Sequence, residues 1–115
     1  MALQKKIVYP NGIEINYHRI HRISFWYEQD NVNLTQFLNA EQIEKHTPYN
    51  GGFFVEIELY SYLNKDIRNN DVEYRIESNL YHMLLTSEEI GTKPIMTLAY
   101  EFLKTLPEFV GAEDV

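Results

Sequence analysis

The chain contains no cysteine. Disulfides, thiolate metal ligands and a cysteine nucleophile are therefore excluded, and the composition fits a reducing compartment. No stretch approaches the ~20 apolar residues of a membrane-spanning helix. The opening MALQKKIVYP holds two lysines but no apolar core of signal-peptide length. Folding in the cytoplasm is expected, with no membrane partner. Basic residues are scarce, ten against seventeen acidic, for a net charge of −7. Nucleic-acid affinity rests on many Lys/Arg–phosphate contacts, so nucleic acid is not an expected partner. Glycine-rich phosphate loops, GxSxG and HExxH are all missing. Ser24, Ser61, Ser78 and Ser87 sit in no suggestive neighbourhood, and no repeat or low-complexity segment occurs. The sequence offers nothing that points to an enzyme or to a cofactor.

What is present is a chain of 115 residues, long enough to bury a core without staples and short enough for one domain spanning 1–115. The charge is uneven. Residues 1–25 hold four basic groups and one acid, the rest six and sixteen. Such polarity suits head-to-tail contact between copies; neutralisation within one fold is the simpler reading. Nine tyrosines, six phenylalanines and one tryptophan suit strands and protein interfaces.

The stretch from Asn11 to Glu28 organises the chain. Ile13, Ile15, Tyr17, Arg19, His21, Ile23, Phe25 and Tyr27 share one parity, and mostly polar residues the other, the pattern of a half-buried strand. It is long for a strand. Either it bends, or a bulge near Arg19 to Arg22 joins two strands. Residues 3–9 predict an opening strand, and Pro10-Asn11-Gly12 a turn, with Asn-Gly suited to a two-residue hairpin. Lys5 and Lys6 would then protect a short sheet edge. Asn33 to His46 reads as a short helix or an excursion between strands, followed by a turn cluster from Pro48 to Gly52.

Phe53 to Leu63 is the second clear strand, with Val55, Ile57 and Leu59 on one parity and Phe54, Glu56, Glu58, Tyr60 and Tyr62 on the other. A polar connection from Asn64 to Asp71 leads to a third alternating run, Val72 to Leu85, in a hairpin with the second. Thr86 to Gly91 is a turn or one turn of helix. Ile95, Leu98, Ala99, Phe102, Leu103 and Leu106 recur at helical spacing, with Thr92 as expected cap, Pro94 in the first turn and Pro107 as the stop. The acidic tail is either loose or docked through Phe109 and Val110. The fold class is α+β, mostly β: an antiparallel sheet or β-sandwich with a C-terminal α-helix packed on it, and the opening stretch as central strand.

Candidate sites are few. His18 and His21 lie three apart, which places them on opposite faces of a strand. With His46 or His82 and carboxylates they could approach a metal site, but the spacing matches no ligand pattern, and no metal is expected. His18, Arg19, His21 and Arg22 form a basic cluster, expected to pair with Glu14, Glu28 or a glutamate of a neighbouring strand; an anion or phosphate role is the alternative. Glu56 and Glu58 are a carboxylate pair of the kind glycoside hydrolysis uses, but a solvated face is the expected role. Continued by Tyr60 and Tyr62, the same row could meet sugar or protein. Trp26, Phe54, Tyr60 and Tyr62 on solvent-side parities, with Arg22 and the acidic tail at the rim, are the residues expected to make contacts.

Two pieces, NGIEINYHRIHRIS (11–24) and AYEFLKTLPEFVGAEDV (99–115), resemble small proteins encoded in tail-gene modules of siphophages and prophages of Gram-positive bacteria. Some proteins of that kind look like the β-rich shoulder domain of lactococcal phage receptor-binding proteins, a sandwich accompanied by a helix. The resemblance covers both ends, about a third of the chain. It implies a tail- or baseplate-associated virion protein without catalytic residues. Expected partners are other phage tail proteins and further copies of the chain in a homo-oligomer. The expected location is the host cytoplasm during assembly and the virion tail afterwards. A carbohydrate- or receptor-binding module for host wall polymer is the alternative, and an assembly protein absent from finished particles a third.

Overall fold

The computed structural model describes residues 1–28, 52–86 and 88–115. The predicted excursion from Asn33 to His46 and the turn cluster up to Gly51 lie outside the described residues. The strands are β1 (Leu3–Val8), β2 (Glu14–Glu28), β3 (Gly52–Tyr62), β4 (Glu77–Leu85) and β5 (Glu113–Asp114), and the helices are α1 (Lys65–Asn70) and α2 (Ile95–Leu103). One antiparallel sheet runs in the order β4-β3-β2-β1-β5. The long strand is central, as its patterning predicts, and α2 packs on the sheet.

The β1–β2 turn differs from the two-residue hairpin expected of Asn-Gly. Tyr9 N–H donates to Ile13 O at 2.9 Å, and Gly12 N–H to Tyr9 O at 2.9 Å. The loop is therefore Pro10-Asn11-Gly12. Proline at the first turn position holds φ negative, so positive φ falls on Gly12 alone, at 88°, where the missing Cβ removes the penalty. Asn11 contributes its side chain instead, its Oδ1 accepting from Ile13 N–H at 3.1 Å.

A bulge in β2 resolves the anomaly of Arg19 and His21. His18 pairs with Ser61 and Ile20 with Leu59; then the register shifts, and Arg22 pairs with Glu58 and Ile23 with Ile57. One extra residue reverses the alternation. Ile20 before the bulge and Ile23 after it join the core under α2, and His18 on the same face meets Phe109, whereas Arg19, His21 and Arg22 lie with Tyr60 and Glu58 on the other face. A strict period of two had put Arg19 and His21 with Ile23. Tyr17 likewise joins Tyr60, Tyr62 and Ala2 in a small cluster on the opposite face. At the bulge, Ile20 N–H donates to the Tyr100 hydroxyl at 2.9 Å, and that hydroxyl donates to Met1 O at 2.9 Å. A buried amide beside the bulge thus finds its partner on α2.

The main core lies between this face and α2. Leu3, Ile20, Val55, Ile57, Leu59, Met83 and Leu85 meet Ala99, Tyr100, Leu103 and Phe109. Pro94, not Thr92, is the residue before α2, and it makes no side-chain cap; the Thr92 hydroxyl donates to Glu89 O at 2.7 Å. The Thr86 and Glu89 side chains each accept the other's backbone N–H, a reciprocal cap for the single 3-10 turn Glu89–Gly91.

After α2, Pro107 opens a second 3-10 turn that returns Phe109 to the core, where it is buried. Gly111, with φ 85°, then reverses the chain, so that Glu113 and Asp114 pair with Gln4 and Leu3. The tail is docked. It also covers the edge that Lys5 and Lys6 were expected to guard. Lys5 Nζ instead donates to Val110 O at 2.8 Å, while Lys6 pairs with Glu14 at 3.3 Å.

Between β3 and β4 the chain is less regular than the alternation of Val72 to Leu85 predicts. Asn64 caps α1 by accepting from Ile67 N–H at 2.9 Å. Asp71 accepts from Glu73 N–H at 2.9 Å and forms a turn with Tyr74. These local side-chain bonds compete with strand pairing, and β4 begins only at Glu77.

Candidate functional site

The face away from α2 carries most of the residues singled out from sequence. Along β3 they run Phe54, Glu56, Glu58, Tyr60 and Tyr62, and β2 and β4 supply their cross-strand neighbours. Trp26 lies opposite Phe54, Ser24 and His82 flank Glu56, and Arg22 and Leu80 flank Glu58. The shared parity was predicted correctly. The exposure was not: Phe54, Tyr60 and Tyr62 are buried, and only Trp26 and Arg22 of the five are exposed.

Each buried aromatic is held by a specific contact. His21 stacks on Tyr60, with centroids 4.1 Å apart and planes 7° from parallel, and the Arg75 guanidinium lies 4.5 Å from the same ring's centroid. Tyr62 donates its hydroxyl to Val72 O at 2.8 Å. Arg75 is oriented by Glu73 at 2.8 Å. Glu58 meets Arg22 at 3.4 Å and His21 at 4.0 Å, and Glu56 meets His82 at 3.3 Å. The two carboxylates are therefore occupied by cations or imidazoles; of the basic cluster expected to pair with glutamates, Arg22 and His21 do so, whereas His18 bonds Ser61 and the Lys5 carbonyl and Arg19 forms no ion pair among the described residues. The β3–β4 register opposes Glu56 to His82 and Glu58 to Leu80.

At one end of this sheet the aromatics come to the surface. Phe25, Trp26 and Tyr27 are 51%, 41% and 53% exposed. Trp26 stacks on Phe54 with centroids 5.9 Å apart, whereas Phe25 and Tyr27 contact Phe53 at 6.4 and 5.2 Å. Alternation divides the three between the two faces, so the end of β2 is aromatic on both sides. Reading one face at a time overlooked Phe25 and Tyr27 as surface residues.

The central strand also holds a buried polar pair missed in the sequence. His18 and Ser61 are both buried. His18 Nε2 lies 2.8 Å from Lys5 O and Nδ1 2.8 Å from Ser61 Oγ. A carbonyl only accepts, so Nε2 carries the proton and Nδ1 accepts from the serine hydroxyl. Burial lowers the His18 pKa below the usual 6.5, opposed in part by the Lys5 carbonyl. Neutral and doubly bonded, the imidazole ties β1, β2 and β3 together, with Phe109 edge-on at 5.0 Å. Ser61 also lines a hollow of about 390 Å³ with Tyr81, Glu108 and Phe109. Tyr81 is held far above its ordinary pKa by burial and by the nearby Glu108 and Glu77 carboxylates. Ser61 sits between Tyr60 and Tyr62, and His18 between Tyr17 and Arg19; no local pattern joins two residues 43 positions apart.

Among the described residues, no three His, Asp or Glu side chains gather to hold a metal ion, and no helix is long and apolar enough to cross a membrane. Comparison with protein-family models, with curated proteins and with solved structures finds no match.

Proposed function

We propose that this protein is a tail-associated structural component of a phage or prophage and that it works through protein–protein contact without catalysis. The observation that carries the contact is the exposed aromatic triple Phe25, Trp26 and Tyr27 at the end of β2. Large aromatic rings, two of the three with a polar N–H or O–H, on both sides of one sheet end are what interface cores select. The resemblance of residues 11–24 and 99–115 to small siphophage tail-module proteins supplies the setting. The partners are other tail proteins and further copies of this chain arranged around the tail axis, with Arg22, on the same face as Trp26 and four residues before it, as the rim cation.

The wall-polymer alternative drew on a sugar-stacking row of Tyr60 and Tyr62. Both rings are buried against His21, Arg75 and Val72, so the row offers that reading no open stacking face.

Size-exclusion chromatography with light scattering, and co-sedimentation with purified tails, test the proposal. Wild type is expected to self-associate or to bind tails, and Phe25→Ser/Tyr27→Ser to lose that property while keeping its circular dichroism. A wild-type chain that stays strictly monomeric at high concentration and ignores tails would overturn the proposal. Mass spectrometry of finished particles separates a virion component from an assembly protein that leaves.

A further inference from the structure

About 20 Å along β3 from the aromatic triple, on the face away from α2, lies a hollow of about 230 Å³ lined by Arg19, His21, Tyr60, Tyr62, Arg68 and Val72. Three elements build it: β2 supplies Arg19 and His21, β3 the two tyrosines, and α1 Arg68. Their positions are constrained. The β2 bulge turns Arg19 and His21 to this face, the Asn64 cap fixes the start of α1, and the Tyr62–Val72 hydrogen bond fastens the segment after α1 to β3.

Charge at the hollow runs against the balance of the chain. Lys6, Arg22, Arg75, Lys93 and Lys104 each meet a carboxylate. Arg19 and Arg68 are half-buried, and among the described residues neither forms an ion pair. The acids nearest the tyrosines are already engaged, Glu58 by Arg22 and His21 and Glu73 by Arg75. Two arginines from different elements thus line one cavity in an acidic protein, and although Arg68 hydrogen-bonds the Tyr62 hydroxyl, neither has a carboxylate partner among the described residues. Like charges held together at reduced dielectric repel, and an anion between them removes that repulsion.

We propose that this hollow is a binding site for a single phosphate group. A carboxylate is satisfied by one guanidinium fork; two forks from different elements suit a tetrahedral dianion that accepts on more than one side. Arg19 and Arg68 grip the oxygens, and His21, held parallel to Tyr60 and facing Glu58, forms part of the wall. The volume admits a free phosphate ion with water or the head of a phosphate ester. The site is separate from the aromatic end and does not depend on the contact assigned to it.

The test is titration of the full chain at low ionic strength with inorganic phosphate, glycerol 3-phosphate and acetate, followed by calorimetry and by amide chemical shifts. Phosphate is expected to saturate, with shifts confined to residues around Arg19, His21 and Arg68, and acetate to bind about tenfold more weakly. Arg68→Gln and Arg19→Gln each lower phosphate affinity by about tenfold, and Arg68→Lys by less. Tighter binding of glycerol 3-phosphate assigns the site to a phosphate ester, and equal or weaker binding to the free ion. Absence of saturation, equal affinity for acetate, shifts located elsewhere, or unchanged affinity in Arg68→Gln would overturn the proposal. The shift map on the wild type decides the matter even if Arg19→Gln unfolds.

Discussion

Alternate residues of one strand, β3, meet two different environments. Toward α2, Val55, Ile57 and Leu59 are sealed by aliphatic and aromatic carbon from β4, α2 and Phe109. Away from α2, Glu56, Glu58 and Tyr60 are covered by side chains that carry charge or an imidazole: His82, Arg22, His21 and Arg75. The first face gains stability from area removed from water, with little dependence on direction. The second relies on stacking, ion pairs and hydrogen bonds, each worth less and each dependent on geometry. The first face therefore makes the fold, while the second can hold groups open to ligands and partners.

The largest test of this contrast is truncation on the α2 side. Leu59→Ala is expected to cost about 2–5 kcal/mol in urea unfolding, against about 1 kcal/mol or less for the adjacent Glu58→Ala, whose ion pair is only partly buried. Equal losses would erase the distinction between the faces. Next is Tyr100→Phe, which keeps the packing but strands the Ile20 amide and the Met1 carbonyl; about 1–3 kcal/mol should be lost. A neutral result would mean that water replaces the hydroxyl. Tyr60→Leu follows, keeping apolar bulk while deleting the stack and the cation contact. Its expected cost is about 1 kcal/mol, and high salt should weaken the wild-type advantage if the Arg75 contact matters.

A subtler effect concerns pH. The folded His18 has a lowered pKa, so on acidification the unfolded chain takes up the proton first. This contribution to stability is complete above about pH 6.5 and is lost as pH falls from there through the lowered folded value. Urea midpoints followed downward from pH 7 should decline, and an NMR titration should show His18 still neutral when exposed imidazoles have charged. A His18 that titrates at or above the ordinary value would refute the buried neutral assignment. Last comes Trp26→Ala, expected to cost about 1 kcal/mol through the lost stack on Phe54, while tail binding should fall sharply. A large stability loss with intact binding would reverse the roles given to the two ends of the sheet.

Much of the fold was legible in the residues. Alternation in β2 and β3 marked the paired strands, helical spacing from Ile95 to Leu103 marked α2, and Pro-Asn-Gly marked the first turn. Errors arose where a single residue or a local side-chain bond changed the geometry. Pro10 shifted the turn from two residues to three, and Asp71 and Asn64 drew Val72 to Ile76 out of the strand. The candidate site was legible in parity but not in exposure. Period-two reasoning says which face Tyr60 and Tyr62 occupy; it does not say that Arg75 and Val72 return from a connection to cover them.

By itself the sequence determined a cysteine-free, mostly β domain with its longest alternating run at the centre of the sheet and a terminal helix across one face, because hydrophobic period and turn chemistry are local properties of the chain. Only the tertiary structure decided where β2 bulges. Alternation on either side of the bulge is equally regular, and the reversal becomes visible only when His18, Ile20 and Ile23 are seen against Ser61, Leu59 and Ile57. From that one inserted residue follow the buried His18–Ser61 pair, the Tyr100 hydrogen bond to Ile20, and the turning of Arg19 and His21 toward Arg68. These are long-range contacts, made by residues 43 to 80 positions apart in the hydrogen-bonded pairs, and no local pattern encodes them.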